Sequence, residues 1–169
     1  MTTATLSGIA LKTFPGGVHP DDAKELARDK TVEPLDPPEK VWLILGQHFG
    51  IPSKPIVNKG DIVRKGQKIA VDQQSGPFPP SANLHASIGG KVLGIEDMPH
   101  PAFGRPTPAI VIERQDDDDS WAEGCDEEQN IDELTPEQIM ALIQEAGIVG
   151  LGGAGFPTHF KLKPPPKDK

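Results

Sequence analysis

From Lys40 to Glu113 the apolar positions fall in short runs broken by glycine, proline and charged turns, the pattern of many brief β-strands rather than of helices. The runs predict strands at Val41–Leu45, Lys54–Val57, Ile62–Val63, Lys68–Val71, Leu84–Ser87, Lys91–Ile95 and Ala109–Glu113. Between them, Asn58-Lys59-Gly60-Asp61 and Arg64-Lys65-Gly66-Gln67 each set a glycine where a tight turn needs positive φ, so the chain reverses twice in quick succession. Such spacing fits a small barrel or sandwich. Trp42, at the start of a strand, is expected in the core.

On either side the pattern changes. Met1 to Pro38 has little periodicity, and Phe14-Pro15-Gly16-Gly17-Val18-His19-Pro20 reads as a turn-rich strap. Asp21 to Lys30 suits a short helix capped by Asp21, with Ala23, Leu26 and Ala27 on one face. After the strands, Thr135-Pro136-Glu137-Gln138 predicts a helix start. Threonine is the cap, proline takes the first helical position, and glutamine three residues on completes a capping box. Ile139, Leu142, Ile143 and Ala146 form one apolar stripe, and Gly147 supplies the left-handed stop. The organisation expected is a strap at 1–39, a β-domain at 40–114, an acidic mobile linker at 115–133, and the opening of a further domain at 134–169.

Composition sharpens this picture in two places. With 19 prolines and 18 glycines in 169 residues, turns should be many and long helices few. The net charge of −8 is local, because ten acidic and no basic residues lie between Gln115 and Glu133, while the remainder is nearly neutral. A block of like charge repels phosphate backbones and is usually solvated, so nucleic-acid binding is not expected. The single Cys125 excludes an intramolecular disulfide, and one thiol does not hold an iron–sulfur cluster or structural zinc. Its acidic surroundings disfavour a reactive thiolate. Trp121, among aspartates, is either a docking residue or without a role. No apolar run is long enough to span a membrane, and the start lacks a secretory pattern, so a soluble chain is expected. His19, His48, His85, His100 and His159 show no metal-ligand spacing and are expected to be structural; no metal site and no catalytic residue is assigned.

The segment Pro55–Ala70, with His85-Ala86-Ser87-Ile88-Gly89-Gly90-Lys91-Val92 as its partner half, resembles a biotinyl/lipoyl-type domain. The fold class implied is mainly β, a barrel-sandwich hybrid, followed here by a short α-helical C-terminal segment. Carrier members of that fold present a lysine on the hairpin between the halves. Here Asp72 to Leu84 contains none, and it is longer and richer in proline, so a scaffold or docking role is expected rather than a swinging arm.

Chemistry concentrates in Gly150-Leu151-Gly152-Gly153-Ala154-Gly155-Phe156-Pro157-Thr158-His159-Phe160-Lys161. Closely spaced glycines let a backbone approach a phosphate, and Lys161 would complete the anion cradle; glycines also mark simple bends. The spacing is neither the dinucleotide G-x-G-x-x-G nor the P-loop. The string is similar to the FMN/NADH loop shared by the flavin subunit of respiratory complex I and the RnfC proteins of Rnf electron-transport complexes. The strap Phe14–Pro20, Gln47-His48-Phe49-Gly50-Ile51-Pro52, the barrel halves and Met98-Pro99-His100-Pro101 resemble the RnfC family in the same order, over nearly the whole chain. A related cobalamin reductase is a sibling reading, and a ligand-free protein-interaction module is another.

The resemblance implies a peripheral subunit on the cytoplasmic side of the bacterial inner membrane. It would touch the membrane through other Rnf subunits and pass electrons between NADH and ferredoxin, coupled to ion transport. It implies FMN and NADH for the complete subunit, and two 4Fe-4S clusters in a further C-terminal region. This chain would then be an amino-terminal piece ending within the flavin domain, inactive alone and holding no cofactor tightly. By motif, Gly150, Gly152, Gly153, Gly155 and Lys161 carry over as cofactor-binding positions. Leu151 stands where the complex I subunit has arginine, a departure that bears on phosphate contacts there.

Overall fold

In the computed structural model, described residues are 5–6, 9–10, 21, 23–73, 79–115, 120–125 and 127–163, the first four by backbone only. The strap segment Phe14–Pro20 and the terminal Pro164-Pro165-Pro166 lie outside them. The chain divides into two units, Met1–Asp36 and Pro37–Lys169.

In the first unit, β1 (Thr5–Leu6) and β2 (Ile9–Ala10) pair antiparallel. The helix expected at 21–30 is cut down to one 3-10 turn at Lys24–Leu26, with Asp21 Oδ1 accepting from the Ala23 amide at 3.1 Å. On its apolar face Leu26 is 87% exposed among the described residues. A ten-residue helix without tertiary support does not repay its nucleation cost.

The second unit contains two curled antiparallel sheets. One runs in the order β3 (Lys40–Ile44), β9 (Pro106–Arg114), β8 (Gly90–Pro99) and β5 (Ile62–Val63). The other runs β4 (Lys54–Pro55), β6 (Lys68–Val71) and β7 (Leu84–His85). All seven predicted strands are present, and the mainly β barrel-sandwich expected from the sequence is the architecture observed. The last two strands are longer than expected, because β8 and β9 continue to pair from Gly90↔Arg114 out to Pro99↔Pro106. The two glycine turns form as expected, with Gly60 at φ 98° and Gly66 at φ 79°. In each, the side chain after the glycine accepts back from the first residue of the turn: Asp61 Oδ2 from the Asn58 amide at 2.7 Å, and Gln67 Oε1 from the Arg64 amide at 2.9 Å.

Between the sheets lies an apolar core built on Val63, Ile69, Val92, Ile110 and Ile112, with Val41 and Leu43 packed against it. Strand alternation sets which β3 residues join it: Val41, Leu43 and Leu45 take the core side, so Trp42 points the other way. Trp42 is 43% exposed, which corrects the core assignment, and Lys40 Nζ lies 5.9 Å from its ring centroid.

Part of the acidic stretch returns to the barrel. Trp121 forms a parallel bridge with Lys65, the Ala122 amide donates to the Lys65 carbonyl at 2.7 Å, and Lys65 Nζ stands 4.5 Å from the Trp121 ring. Trp121 thus packs on the barrel at Lys65 and stays 49% exposed. The helix α1 (Pro136–Glu145) begins as the sequence predicts, with Thr135 and Gln138 closing the capping box at 3.3 and 2.8 Å. A short helix, α2 (Thr158–Lys161), follows the glycine loop. None of the described helices is long and apolar enough to cross a membrane.

Candidate functional site

The glycine loop is held between α1 and α2 by its own backbone. Gly150 donates to the Phe156 carbonyl at 3.0 Å, Thr158 donates to the Ile148 carbonyl at 2.9 Å, and Val149 bridges Pro157. Its glycines divide into two groups by what a side chain would meet.

The flanking glycines are required by the fold. Gly147, just before the loop, has φ 66°, and a Cβ there would run into the Asn83 backbone carbonyl. Gly155 has φ 67°, and a Cβ would stand 3.0 Å from the Gln47 carbonyl oxygen and 3.1 Å from His48 Cα. Both press on the barrel, in a backbone region that side chains disfavour. The central glycines are different. At Gly152 and Gly153 a Cβ would meet nothing within 4 Å, and neither has positive φ. At Gly150 the position is taken by Lys161, whose Nζ lies 2.5 Å from where the Cβ would be. The ammonium can reach the loop backbone because residue 150 has no side chain. Among the described residues, the amides of Leu151, Gly152, Gly153 and Ala154 donate to no acceptor, and Leu151 is 97% exposed. The structure thus brings Gly150 and Lys161 together, leaves Gly152 and Gly153 open beside them, and assigns Gly155 to the contact with the barrel.

Two parts of the barrel grip the loop. At its exit, the Phe49 amide donates to the Gly155 carbonyl at 3.1 Å, and the Phe49 and Phe156 rings stack at 5.6 Å. At its entry, the Asn83 carboxamide donates to the last carbonyls of α1, Gln144 at 3.3 Å and Glu145 at 3.1 Å, and the Gln144 carbonyl also accepts from the Gly147 amide at 3.1 Å. Asn83 Oδ1 in turn accepts from the Asp72 amide at 2.9 Å, and Gln144 Nε2 donates to Asp72 Oδ2 at 3.2 Å. An ion pair between Lys68 and Glu145 joins the same seam.

Asn83 ends the connection in which carrier domains would present their lysine. Here Pro80, Ser81 and Ala82 are buried; Ser53 Oγ donates to the Ala82 carbonyl at 2.7 Å, and the Ile51 amide donates to the Pro80 carbonyl at 2.9 Å. His48 Nε2 lies 2.9 Å from the Ile51 carbonyl and 3.2 Å from the Ala82 amide. One nitrogen donates to the first or accepts from the second according to tautomer, and Nδ1 is buried with no partner among the described residues. Burial lowers the His48 pKa, with the Ile51 carbonyl and Asp72 opposing. Burial also lowers His159, helped by Lys163 and opposed by Asp72, and lowers His85, opposed by Glu145 and helped by Lys68. Among the described residues, no three His, Cys, Asp or Glu side chains gather as a metal site.

Asn83, Asp72 and Gln144 were not candidates from the sequence. No local signal marks them, since their partners are 61 and 72 residues away. Phe49 lay in a segment singled out for resemblance, without an assigned role.

The model of the RnfC barrel sandwich hybrid domain matches residues 12–117. The chain is 50% identical over 159 residues to the RnfC protein of the proton-translocating ferredoxin:NAD(+) oxidoreductase complex of Clostridium ljungdahlii, covering 94% of this chain and 34% of that protein. It is 40% identical over 148 residues to the corresponding protein of the ion-translocating oxidoreductase complex of Rhodobacter capsulatus, covering 87% and 27%. To its counterpart in the Na(+)-translocating ferredoxin:NAD(+) oxidoreductase complex of Acetobacterium woodii it is 38% identical over 157 residues, covering 93% and 34%. The chain spans about a third or less of the length of these curated relatives. Its barrel, its strand order and these matches place it together: the chain belongs to the RnfC family, by way of the RnfC barrel sandwich hybrid domain.

Proposed function

We propose that this chain serves as part of the RnfC component of an ion-translocating ferredoxin:NAD+ oxidoreductase complex. In this reading residues 40–114 are a docking scaffold for other subunits, and residues 134–169 open the flavin domain with its first phosphate loop. The observation that carries the reading is the open pair Gly152 and Gly153. The fold does not need glycine there, whereas a ligand lying on the backbone does. Amides with no acceptor among the described residues and the Lys161 ammonium against Gly150 suit an anion, and the resemblance of the string to an FMN/NADH loop favours the phosphate of FMN. Bound flavin would supply the exchange between hydride and single-electron transfer. This chain's part is to hold and orient its phosphate with Gly150, Gly152, Gly153 and Lys161, Gly155 serving by anchoring the loop. The 4Fe-4S clusters of the complete subunit would sit outside this chain, which has one cysteine.

The test is amide NMR of the chain titrated with FMN and, separately, with riboflavin. FMN shifts the Gly152 and Gly153 amide resonances in a weak, roughly millimolar titration. Riboflavin, lacking phosphate, does not, and Lys161→Ala removes the response. Equal response to both compounds, or none to either, rejects the phosphate loop.

A further inference from the structure

We propose that Asn83, a barrel residue at the end of the connection which carrier domains use as an arm, is the positioning residue for the glycine loop and acts here as a clamp. The proposal rests on the phosphate-loop reading above and adds what sets that loop's geometry.

The loop's own backbone bonds fix its shape, and what sets its place on the barrel is a separate matter. No residue of α1 is fully buried, its apolar positions Ile139, Met140 and Ile143 being half-buried. Its place is set at its C-terminal end, where the Asn83 amide group donates to two carbonyls of the last turn. Directly after these carbonyls the chain turns at Gly147, whose Cα abuts the Asn83 backbone. The direction in which Ile148 leaves the helix, and so where Gly150 stands under Lys161, follows from that contact.

The clamp is itself rigid. Asn83 is 8% exposed and its oxygen is held by the Asp72 amide across the neck of the connection. Asp72 reaches back to Gln144, so donor and acceptor alternate around a closed ring of Asn83, Asp72, Gln144 and the helix end. Next to it Ala82 is pinned by Ser53 and His48, and Ser81 Oγ accepts from the Gln73 amide at 3.4 Å, so the base on which Asn83 stands is held in place.

The ring offers a selective test. Asn83→Asp keeps the acceptor for the Asp72 amide but replaces the donor to α1 with a charge facing carbonyls. Hydrogen exchange read by NMR follows two sets of amides: Gly150 and Thr158, which hold the loop, and Ile110 and Ile112 in the barrel core. In Asn83→Asp, the first set exchanges about tenfold faster, while the second set and the thermal midpoint of the barrel are unchanged. The preference for FMN over riboflavin is lost. Asn83→Ala, should the aspartate disturb the barrel, gives the same division. Unchanged loop exchange in both variants overturns the proposal, and so does faster exchange with the phosphate preference intact, because Asn83 is then only a structural contact. A wild-type chain indifferent to phosphate removes the cradle and the proposal with it, a result seen before any variant is made.

Discussion

The barrel and the segment after it are stabilised in different ways. The barrel buries Ile69, Ile110 and Ile112 completely between two sheets, so its stability comes from apolar area removed from water. In the α1–loop–α2 segment no residue of α1 is buried and Pro157 and His159 are; the segment meets the barrel through a ring of side-chain hydrogen bonds, an ion pair and a ring stack. Net hydrogen-bond contributions are about 1 kcal/mol each, so the segment can be released while the barrel stays folded.

The largest effect expected from breaking that contrast is in the core. Ile110→Ala should cost about 2–5 kcal/mol, read as a lower urea midpoint, and the loop should be lost with the barrel or before it. A loop that outlasts the barrel would show that the loop holds itself.

Next is the pair of glycines that the structure sets apart. Gly147→Ala combines positive φ with a collision against Asn83 and should destabilise the docked segment by about 1–3 kcal/mol, seen as faster exchange at Gly150 and Thr158. Gly152→Ala meets open space and should alter stability by less than about 0.5 kcal/mol, while abolishing the FMN-induced shifts. Equal stability effects at the two sites would erase the distinction between docking and open glycines.

A smaller effect comes from pH. Burial lowers the pKa of His48, His85 and His159, so below about pH 6.5 the unfolded chain binds protons that the folded chain resists. Stability is therefore full above that value and declines as pH falls through it toward the lowered folded-state pKa values. The urea midpoint should be lower at about pH 5.5 than at about pH 7.5. Replacing His48 with glutamine should reduce the difference; an unchanged pH dependence there would move the effect to His85 and His159.

Legibility from the sequence followed the range of the interaction. The capping box of α1 and the turns at Gly60 and Gly66 were readable because every partner lies within three residues. The strands were readable from alternation, but alternation does not say which face is inside, and Trp42 was assigned to the wrong one. The helix expected at 21–30 had local signals for a cap and an apolar face, yet only one 3-10 turn forms and Leu26 stays exposed, so the local signals were not enough by themselves. Trp121 was ambiguous until the chain around it was seen to return to Lys65.

By itself, the sequence determined the strand-rich barrel, the start of α1, the lack of a carrier lysine and the glycine string with Lys161, since each depends on residue type, period or short spacing. Only the tertiary structure decided that Gly147 and Gly155 serve docking while Gly152 and Gly153 face open space, and that Asn83 holds the helix between them and the barrel. Those distinctions depend on atoms brought together from Gln47, Asn83 and Gly155, and the five glycines at 147, 150, 152, 153 and 155 look alike until the surfaces opposite them exist.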